Sequence, residues 1–544
     1  MRSKKLLACA AALAFCALCS AAFAYPMTPS DVHYIPPTPS PVPTATPAPG
    51  PTSPPPQAPA VLAPVPEADP EQLGIRSSVI GDASYDLAMP AQDGYSALPG
   101  VLTFRGGPYR QNAAYGYATA PEHTLEILWQ KNIGGLDNWG GVGWNGQAAV
   151  VQWPDALRGQ MNLYDEKKAK EGLVEVIYGT LDGHIYFLDL DDGSATRDAI
   201  DIGFPIKGSV SVDPRGVPLL YCGQGISKLS NKSGKIGFRI FSLLTGETLL
   251  FANGLDDDAY RSHGAFDSVA LVDPSSDTLI ECGENGMLYT FRLHTDYDAQ
   301  AGTLSIDPER AVLRYKNGTT VGIENSVAVY DHYAYFADNG GFLLCVDVNT
   351  LSVVWAADVT DDTDATVALD PRPDGRVLLY TGCEVDKQKT GGRAYLRCFD
   401  ALTGEKLWEY SEVCEYDEDV NGGLLGSPLV GTGPLDGMVF FHLAKVYEGG
   451  GALLAFDKDT GELLYRQHLP RYGWSSPVAI YGAEGEAHII LGDSGGVLRL
   501  IDPFSGETLS TLELEGNIEG SPVVFGDKLV IGTRGRYIYG VAIR

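Results

Sequence analysis

Along most of the chain, short apolar runs alternate with turn residues. QAAVVQW from Gln147 and YIYGVAIR from Tyr537 show the every-second-residue pattern of half-buried strands. The strands belong to a repeat. FDALTGEKLW (residues 399–408), FDKDTGELLY (456–465) and IDPFSGETLS (501–510) are one motif written three times, with looser copies starting at Leu188, Phe241 and Val346. Copies recur every 40 to 57 residues or so, the period of a four-stranded propeller blade. Within each copy an apolar strand ends in aspartate, Thr-Gly or Ser-Gly makes the turn, and a second strand leaves with an aromatic residue or leucine. The aspartate can accept hydrogen bonds from the turn's own amides, and glycine supplies a positive φ. These are strands C and D of a blade.

Two further columns run with it. GTLDGH from Gly179, GENGML from Gly283, ADNGGF from Ala337, GDSGGV from Gly492 and GTRGRY from Gly532 mark the B–C hairpin. Ser209, Ser268, Ser326, Thr366, Ser427, Ser476 and Ser521, with Gln147 in the same place, mark the start of the innermost strand A. Eight such starts predict an all-β fold, a β-propeller of eight four-stranded blades, with seven as the alternative if the irregular repeat near Asp364 does not form. The final blade lacks a strand D, and residues 123–133, which carry Trp129 where other repeats carry Trp355 and Trp408, are expected to complete it and remove the open edges.

The pattern [L/F]-D-x-x-[T/S]-G-E-x-[L/W], with its leading Gly-x-x-Gly hairpin and a lead-in TFRGGPYRQNAAYG (residues 103–116), resembles the PQQ-like propeller repeat. That repeat occurs in quinoprotein dehydrogenases, in the scaffold lipoprotein of the bacterial outer-membrane barrel-assembly machinery, and in exported PQQ-binding-like β-propeller proteins. For a dehydrogenase the resemblance implies a quinone (PQQ) over a tryptophan beneath a vicinal disulfide, calcium held by Glu and Asn, and an aspartate base. This chain has no adjacent cysteine pair and no CxxCH. Glu324-Asn325 is the one Glu-Asn pair at a strand-A entrance, and Trp474 the one tryptophan at the equivalent position in blades two to eight.

Residues 1–24 read as a signal peptide, with a basic start, an apolar stretch and an A-x-A site at Ala22 and Ala24. Residues 25–72 read as a proline-rich linker; residues 26–70 hold 17 prolines and cannot bury enough apolar surface to fold. Residues 73–102 are a lead-in and 103–544 the propeller. The formal net charge of −30 repels phosphate backbones and anionic lipid, so neither nucleic acid nor direct membrane binding is expected. No later segment has the roughly 20 apolar residues of a membrane span. Cys222, Cys282, Cys345, Cys383, Cys398 and Cys414 sit in apolar runs and read as buried thiols, with a Cys383–Cys398 bridge the alternative.

Three motifs invite catalytic or metal readings. Residues 492–496 (GDSGG) match a serine-protease nucleophile signature, yet the same column reads ADNGG and GENGM in other blades, so the repeat accounts for it. GVGWNG (141–146) leads into a strand rather than a helix, which excludes a dinucleotide fold. The acidic runs 256–258, 361–364 and 417–419 lack calcium-loop spacing and are expected to be solvated loops.

A site is expected where the strand-A entrances ring one mouth of the channel. Two positions ahead of the Ser column stand Asn145, Lys207, Phe266, Glu324, Asp364, Leu425, Trp474 and Glu519, and one position ahead Asp267 and Asn325. Of these, Trp474, Glu324, Asn325, Asp267, Asn145, Lys207, Asp364 and Glu519 are the candidate ligand-binding residues, since aromatic faces stack and carboxylates orient. No catalytic residue or metal ligand is assigned, and no cofactor is expected, PQQ and calcium being the alternative. The function expected is a non-catalytic extracellular scaffold, monomeric, secreted or held at the cell surface or in the periplasm, that docks a protein or glycan of the cell envelope. Alternatives are a PQQ- and calcium-dependent dehydrogenase or other propeller enzyme, and an assembly-factor scaffold for membrane proteins.

Overall fold

The computed structural model describes residues 70–143 and 146–544. The signal-peptide reading, almost all of the linker, and Trp144 and Asn145 lie outside the described residues. No helix among the described residues is long and apolar enough to cross a membrane.

Eight sheets of four or five strands follow one another as blades, each with its A-B-C-D strands antiparallel in that order, and Ala114–Tyr115 joins the last of them as a parallel edge. The irregular repeat near Asp364 forms a full blade, the fifth, from Ala368–Pro371, Val377–Gly382, Arg393–Asp400 and Lys406–Val413. Eight blades, not seven, are therefore present. The last blade ends with Tyr537–Ile543, and Leu125–Asn132 pairs antiparallel along it as the missing strand D.

The C–D motif works as its residues dictate. Asp400 Oδ1 accepts the amides of Leu402 (2.9 Å) and Thr403 (3.0 Å), and Asp502 and Asp457 do the same for their turns. The turn glycine has a second duty besides its positive φ. Gly404, Gly461 and Gly193 each lie under an indole of the preceding blade, where a Cβ would stand 2.8 Å from Trp355, 2.5 Å from Trp408 and 2.5 Å from Trp129. Each indole also donates across the junction, to Ala401 O (3.0 Å), Lys458 O (2.9 Å) and Leu190 O (2.8 Å). Trp129 thereby seals blade 8 onto blade 1.

The Ser/Thr column is an inter-blade belt. Amides near the start of one strand A donate to the hydroxyl of the next: Gln147 to Ser209, Val269 to Ser326, Ser326 to Thr366, Thr366 to Ser427, Ser427 to Ser476 and Ser476 to Ser521, at 2.8–3.2 Å. Ser521 N returns to Gly146 O (3.0 Å). A small hydroxyl meets the need of a buried amide where the blades are closest and no larger side chain fits.

Residues 100–115 run around the inside of the ring as a strap that touches the blades in order. Gly100–Val101 pairs with Val150–Val151 of blade 1, and Leu102 O accepts Val212 N of blade 2. Thr103 Oγ1 bonds Ala270 O of blade 3, Pro108 O accepts Val329 N of blade 4, and Tyr109 O accepts Leu369 N of blade 5. Gln111 O, Asn112 and Ala114–Tyr115 serve blades 6, 7 and 8. Arg105 and Arg110 are wholly buried at its bends, in left-handed backbone (φ 56° for both). Arg110 donates to Val327 O, Val269 O and Phe104 O, and Arg105 to Pro477 O, Pro428 O and Gln111 O. Backbone carbonyls and, for Arg110, the Thr103 hydroxyl rather than carboxylates take up the guanidinium donors, Arg105 Nε alone having no partner among the described residues. The lead-in is thus built into the ring, and Arg76–Ile80 adds a fifth strand to the outside of blade 3.

The six cysteines are free and buried, and Cys383 and Cys398 are not bridged. The acidic run 361–364 is not a solvated loop: Asp361, Thr363 and Asp364 are buried. Asp361 caps the turn at 386–388, accepting the amides of Asp386, Lys387 and Gln388 at 2.8–3.2 Å.

Candidate functional site

With the strap across one end of the central channel, the strand-A entrances surround the other. Their side chains sort into two walls. On blades 2 to 5 the wall is acidic. Lys207 forms an ion pair with Asp267 and stands 3.8 Å from Glu284. Oxygens of Asp267, Glu284 and Glu324 lie within 4.8 Å of one another. His263 Nε2 contacts Glu284 at 2.9 Å. Further round, Asp362, Asp364 and Glu384 crowd together, with the side-chain amide of Asn421 3.3 Å from Glu384.

Burial and mutual repulsion hold protons on this wall. Burial lifts Asp362 to about 8, helped by Glu324, and lifts Glu284 to about 7, helped by Asp267. Burial also raises Asp364 and Glu384 well above the carboxylate range, each further raised by the other or by its acidic neighbours. Burial opposes the charge on Lys207, yet Asp267, Glu284 and Glu324 together keep its ammonium above the ordinary lysine value.

Blades 6 to 8 supply the other wall. Trp474 packs with Leu425, Ala444, Tyr472 and Val420. Lys445 lies 5.3 Å over the Tyr472 ring and pairs with Asp417 (2.6 Å). Glu519, raised by burial, accepts from Asn517 (2.9 Å) and faces Arg534 at 3.5 Å.

Of the residues singled out in the sequence, Lys207, Asp267, Glu324 and Asp364 share the acidic wall, while Trp474 and Glu519 stand on the other. Asn325 turns into the protein: its amide donates to Ala337 O (2.8 Å) and Thr363 O (2.7 Å) and accepts from Ala337 N. Asn145 lies outside the described residues. Four contributors escaped the sequence reading: Glu284, Glu384, Asp362 and His263. The first two had a signal. The column at the end of strand B reads Thr180, Gln224, Glu284, Asp338, Glu384, Lys445, Asp493 and Thr533 around the ring, within two residues of the strand's last position, and it reaches the same mouth as the strand-A entrances.

In the GDSGG hairpin, Asp493 is committed to the amides of Gly495 (2.8 Å) and Val497 (3.1 Å) and to an ion pair with Arg499. That is the turn-capping role the repeat implies, rather than the orientation of a base.

The donor set can be tested against the groups the repeat implies. A hard cation fits, because Asp267 Oδ1 and Glu284 Oε1 are buried oxygens without hydrogen-bond partners among the described residues. An anionic quinone does not fit a wall crowded with carboxyl groups whose Lys207 is already held by Asp267, and the asparagine that would share its calcium is spent on the backbone.

A family model described as outer membrane protein assembly factor BamB matches residues 299–469. Outer membrane protein assembly factor BamB of Kangiella koreensis is 31% identical over 153 residues, 28% of this chain and 31% of that protein. The match thus spans less than a third of that relative. Among solved structures, the quinohemoprotein alcohol dehydrogenase ADHIIG of Pseudomonas putida HK5 superposes with a TM-score of 0.56 at 14% identity, covering 82% of this chain and 80% of its own. That of Comamonas testosteroni gives 0.56 at 12% identity, over 84% and 82%. At these identities the likeness is one of fold. With eight blades joined by the Asp-x-x-Thr-Gly turn and closed by an N-terminal strand, this chain is built of PQQ-like β-propeller repeats.

Proposed function

We propose that this chain is an exported, non-catalytic scaffold of the cell envelope whose channel mouth receives a basic, aromatic-rich segment of another protein. The observation that carries this reading is the pairing of an acidic wall (Glu324, Asp362, Asp364, Glu384) with an aromatic one (Trp474, Tyr472) at the open end of a channel strapped shut at the other. Burial holds protons on these acids, and an approaching lysine or arginine favours their ionised form and pairs with the carboxylates, while aromatic faces hold its alkyl stem and add cation–π attraction. The match to outer membrane protein assembly factors supports a protein partner and an envelope location, and it covers the blades that carry Glu324, Asp362, Asp364, Glu384 and Leu425.

The test is fluorescence anisotropy of labelled peptides rich in Lys, Arg and Tyr against acidic peptides and wall-glycan fragments. Basic peptides should bind, weaken as salt rises, and lose at least tenfold in affinity with Trp474→Ala or with Asp364→Asn/Glu384→Gln. Equal binding of acidic peptides, or variants that bind as the parent does, would overturn the reading. Selective binding of wall glycan would replace the protein partner with a glycan.

A further inference from the structure

Between blades 2, 3 and 4 the acidic wall contains a compact nest of oxygens. One oxygen each from Asp267, Glu284 and Glu324 can be chosen so that all lie within 4.8 Å of one another. Lys207 engages Asp267 through Oδ2, and His263 engages Glu284 through Oε2. The other oxygens, Asp267 Oδ1 and Glu284 Oε1, are buried and accept no hydrogen bond among the described residues, Lys207 Nζ standing 3.8 Å from Glu284 Oε1. A buried carboxylate oxygen without a hydrogen bond is costly, so two in one nest mark a place for a further partner. Gly225 points the same way: a Cβ there would stand 2.6 Å from Asp267 Oδ1 and 2.3 Å from Lys207 Cδ, so the chain keeps this corner clear of side chain.

We propose that Asp267, Glu284 and Glu324 bind one hard divalent cation of calcium size, Asp267 through Oδ1 and Glu284 through Oε1. A bound cation would hold all three carboxylates ionised, and three carboxylates less the Lys207 ammonium then leave two negative charges, which a divalent ion balances. Separations of no more than 4.8 Å are within the span of two calcium–oxygen bonds of about 2.4 Å each. His263 orients Glu284 from behind, in the manner of outer-sphere partners that fix a ligand's direction. The half-buried Glu324 leaves the outward coordination positions to water. The ion thus sits on three carboxylates of two neighbouring blades, not on the Glu324–Asn325 pair that the resemblance to quinoproteins implies, and it needs no quinone. It does not rest on the docking of a basic segment and is measured without one.

Chelator-treated full chain is titrated with calcium chloride alone by calorimetry, with manganese as a second probe, and its melting is followed in parallel. One ion per chain is expected, with a dissociation constant on the order of 10⁻⁴–10⁻³ M as in extracellular calcium modules, and a higher melting temperature in calcium. Glu324→Gln, at the rim, and Glu284→Gln should each weaken binding at least tenfold, while Asp417→Asn, on the opposite wall, leaves it unchanged. Lys207→Met, which removes the competing ammonium, should tighten binding. Absence of saturable binding of either metal to the unaltered chain would overturn the proposal, and so would equal binding by the Glu284→Gln/Glu324→Gln chain. Retained calcium binding in the Asp364→Asn/Glu384→Gln chain, which should lose the basic peptides, would show that the two readings stand apart.

Discussion

The two ends of the central channel are built from opposite chemistry. At the strapped end, Arg105 and Arg110 are buried with no carboxylate hydrogen-bonded to them, Glu281 alone lying near enough to Arg110 to feel its charge, and their donors are shared among carbonyls of blades 3, 4, 6 and 7. At the open end, carboxylates outnumber cations, four of their oxygens (Asp267 Oδ1, Glu284 Oε1, Asp362 Oδ1 and Glu384 Oε1) lack hydrogen-bond partners among the described residues, and several are held above their ordinary range by burial and by one another. A guanidinium that bridges carbonyls is finished structure. A buried carboxylate facing others is a cost to folding that a ligand at the mouth would offset. The contrast separates the residues that hold the ring from those held for binding.

The largest effect should come from breaking the strap. Arg110→Met leaves the carbonyls of Val327, Val269 and Phe104 buried and unpaired, and should cost about 4 kcal/mol, read as a fall in the urea midpoint. The second test lies in the wall between the ends. Burial depresses His442 to about 4, so the folded chain keeps the imidazole neutral while the unfolded chain takes up a proton below about pH 6.5. Its contribution is present at pH 7, declines as pH falls through 6.5, and is lost by pH 4, about 3 kcal/mol in all. His442→Leu should flatten the stability–pH curve in that window relative to the parent.

A smaller loss is expected in the belt. Ser427→Ala takes the acceptor from the buried Thr366 amide and should cost about 1.5 kcal/mol by chemical denaturation. At the mouth the sign should reverse. Asp364→Asn removes an acid whose charged form is opposed by burial, Glu324 and Asp362, and should raise stability by about 1 kcal/mol at pH 8 while weakening basic peptides. A loss there as large as that of Arg110→Met would erase the distinction between the two ends.

Most of the fold was legible because its signals are local. The Asp-x-x-Thr-Gly turn, the B–C glycines and the Ser column recur with the blade, and the closing strand was readable from one missing partner and one tryptophan. What escaped is through-space. Residues 103–116 read as a lead-in, but nothing in their local pattern says that they encircle the channel, since each bond is to a different, distant blade. The Ser column marked strand A, yet its reason, an acceptor for the neighbouring blade's amide, needs two repeats at once. At the mouth, Lys207, Asp267, Glu324 and Asp364 were found because strand-A entrances converge, whereas Glu284 and Glu384 arrive from a hairpin column read only for its turns. Asp361 was expected in solvent because three aspartates in four residues look hydrophilic, and it is buried by capping the turn at 386–388.

The strap also fixes an order of events. Residues 100–115 leave the ribosome early, but their partners extend to Val524 and Phe525, and Leu125–Asn132 waits for Tyr537–Ile543. During synthesis the first blades must persist beside an unseated strap and an unpaired strand until the last forty residues or so arrive, the interval in which exposed edges are most open to wrong pairing. Circular permutation that placed the new termini at the outer turn near Asp459 would make blades 7, 8 and 1 contiguous in time and leave Leu463–Leu469 as the strand that waits for Gly451–Asp457, so the place of wrong pairing is expected to move from blade 8 to blade 6.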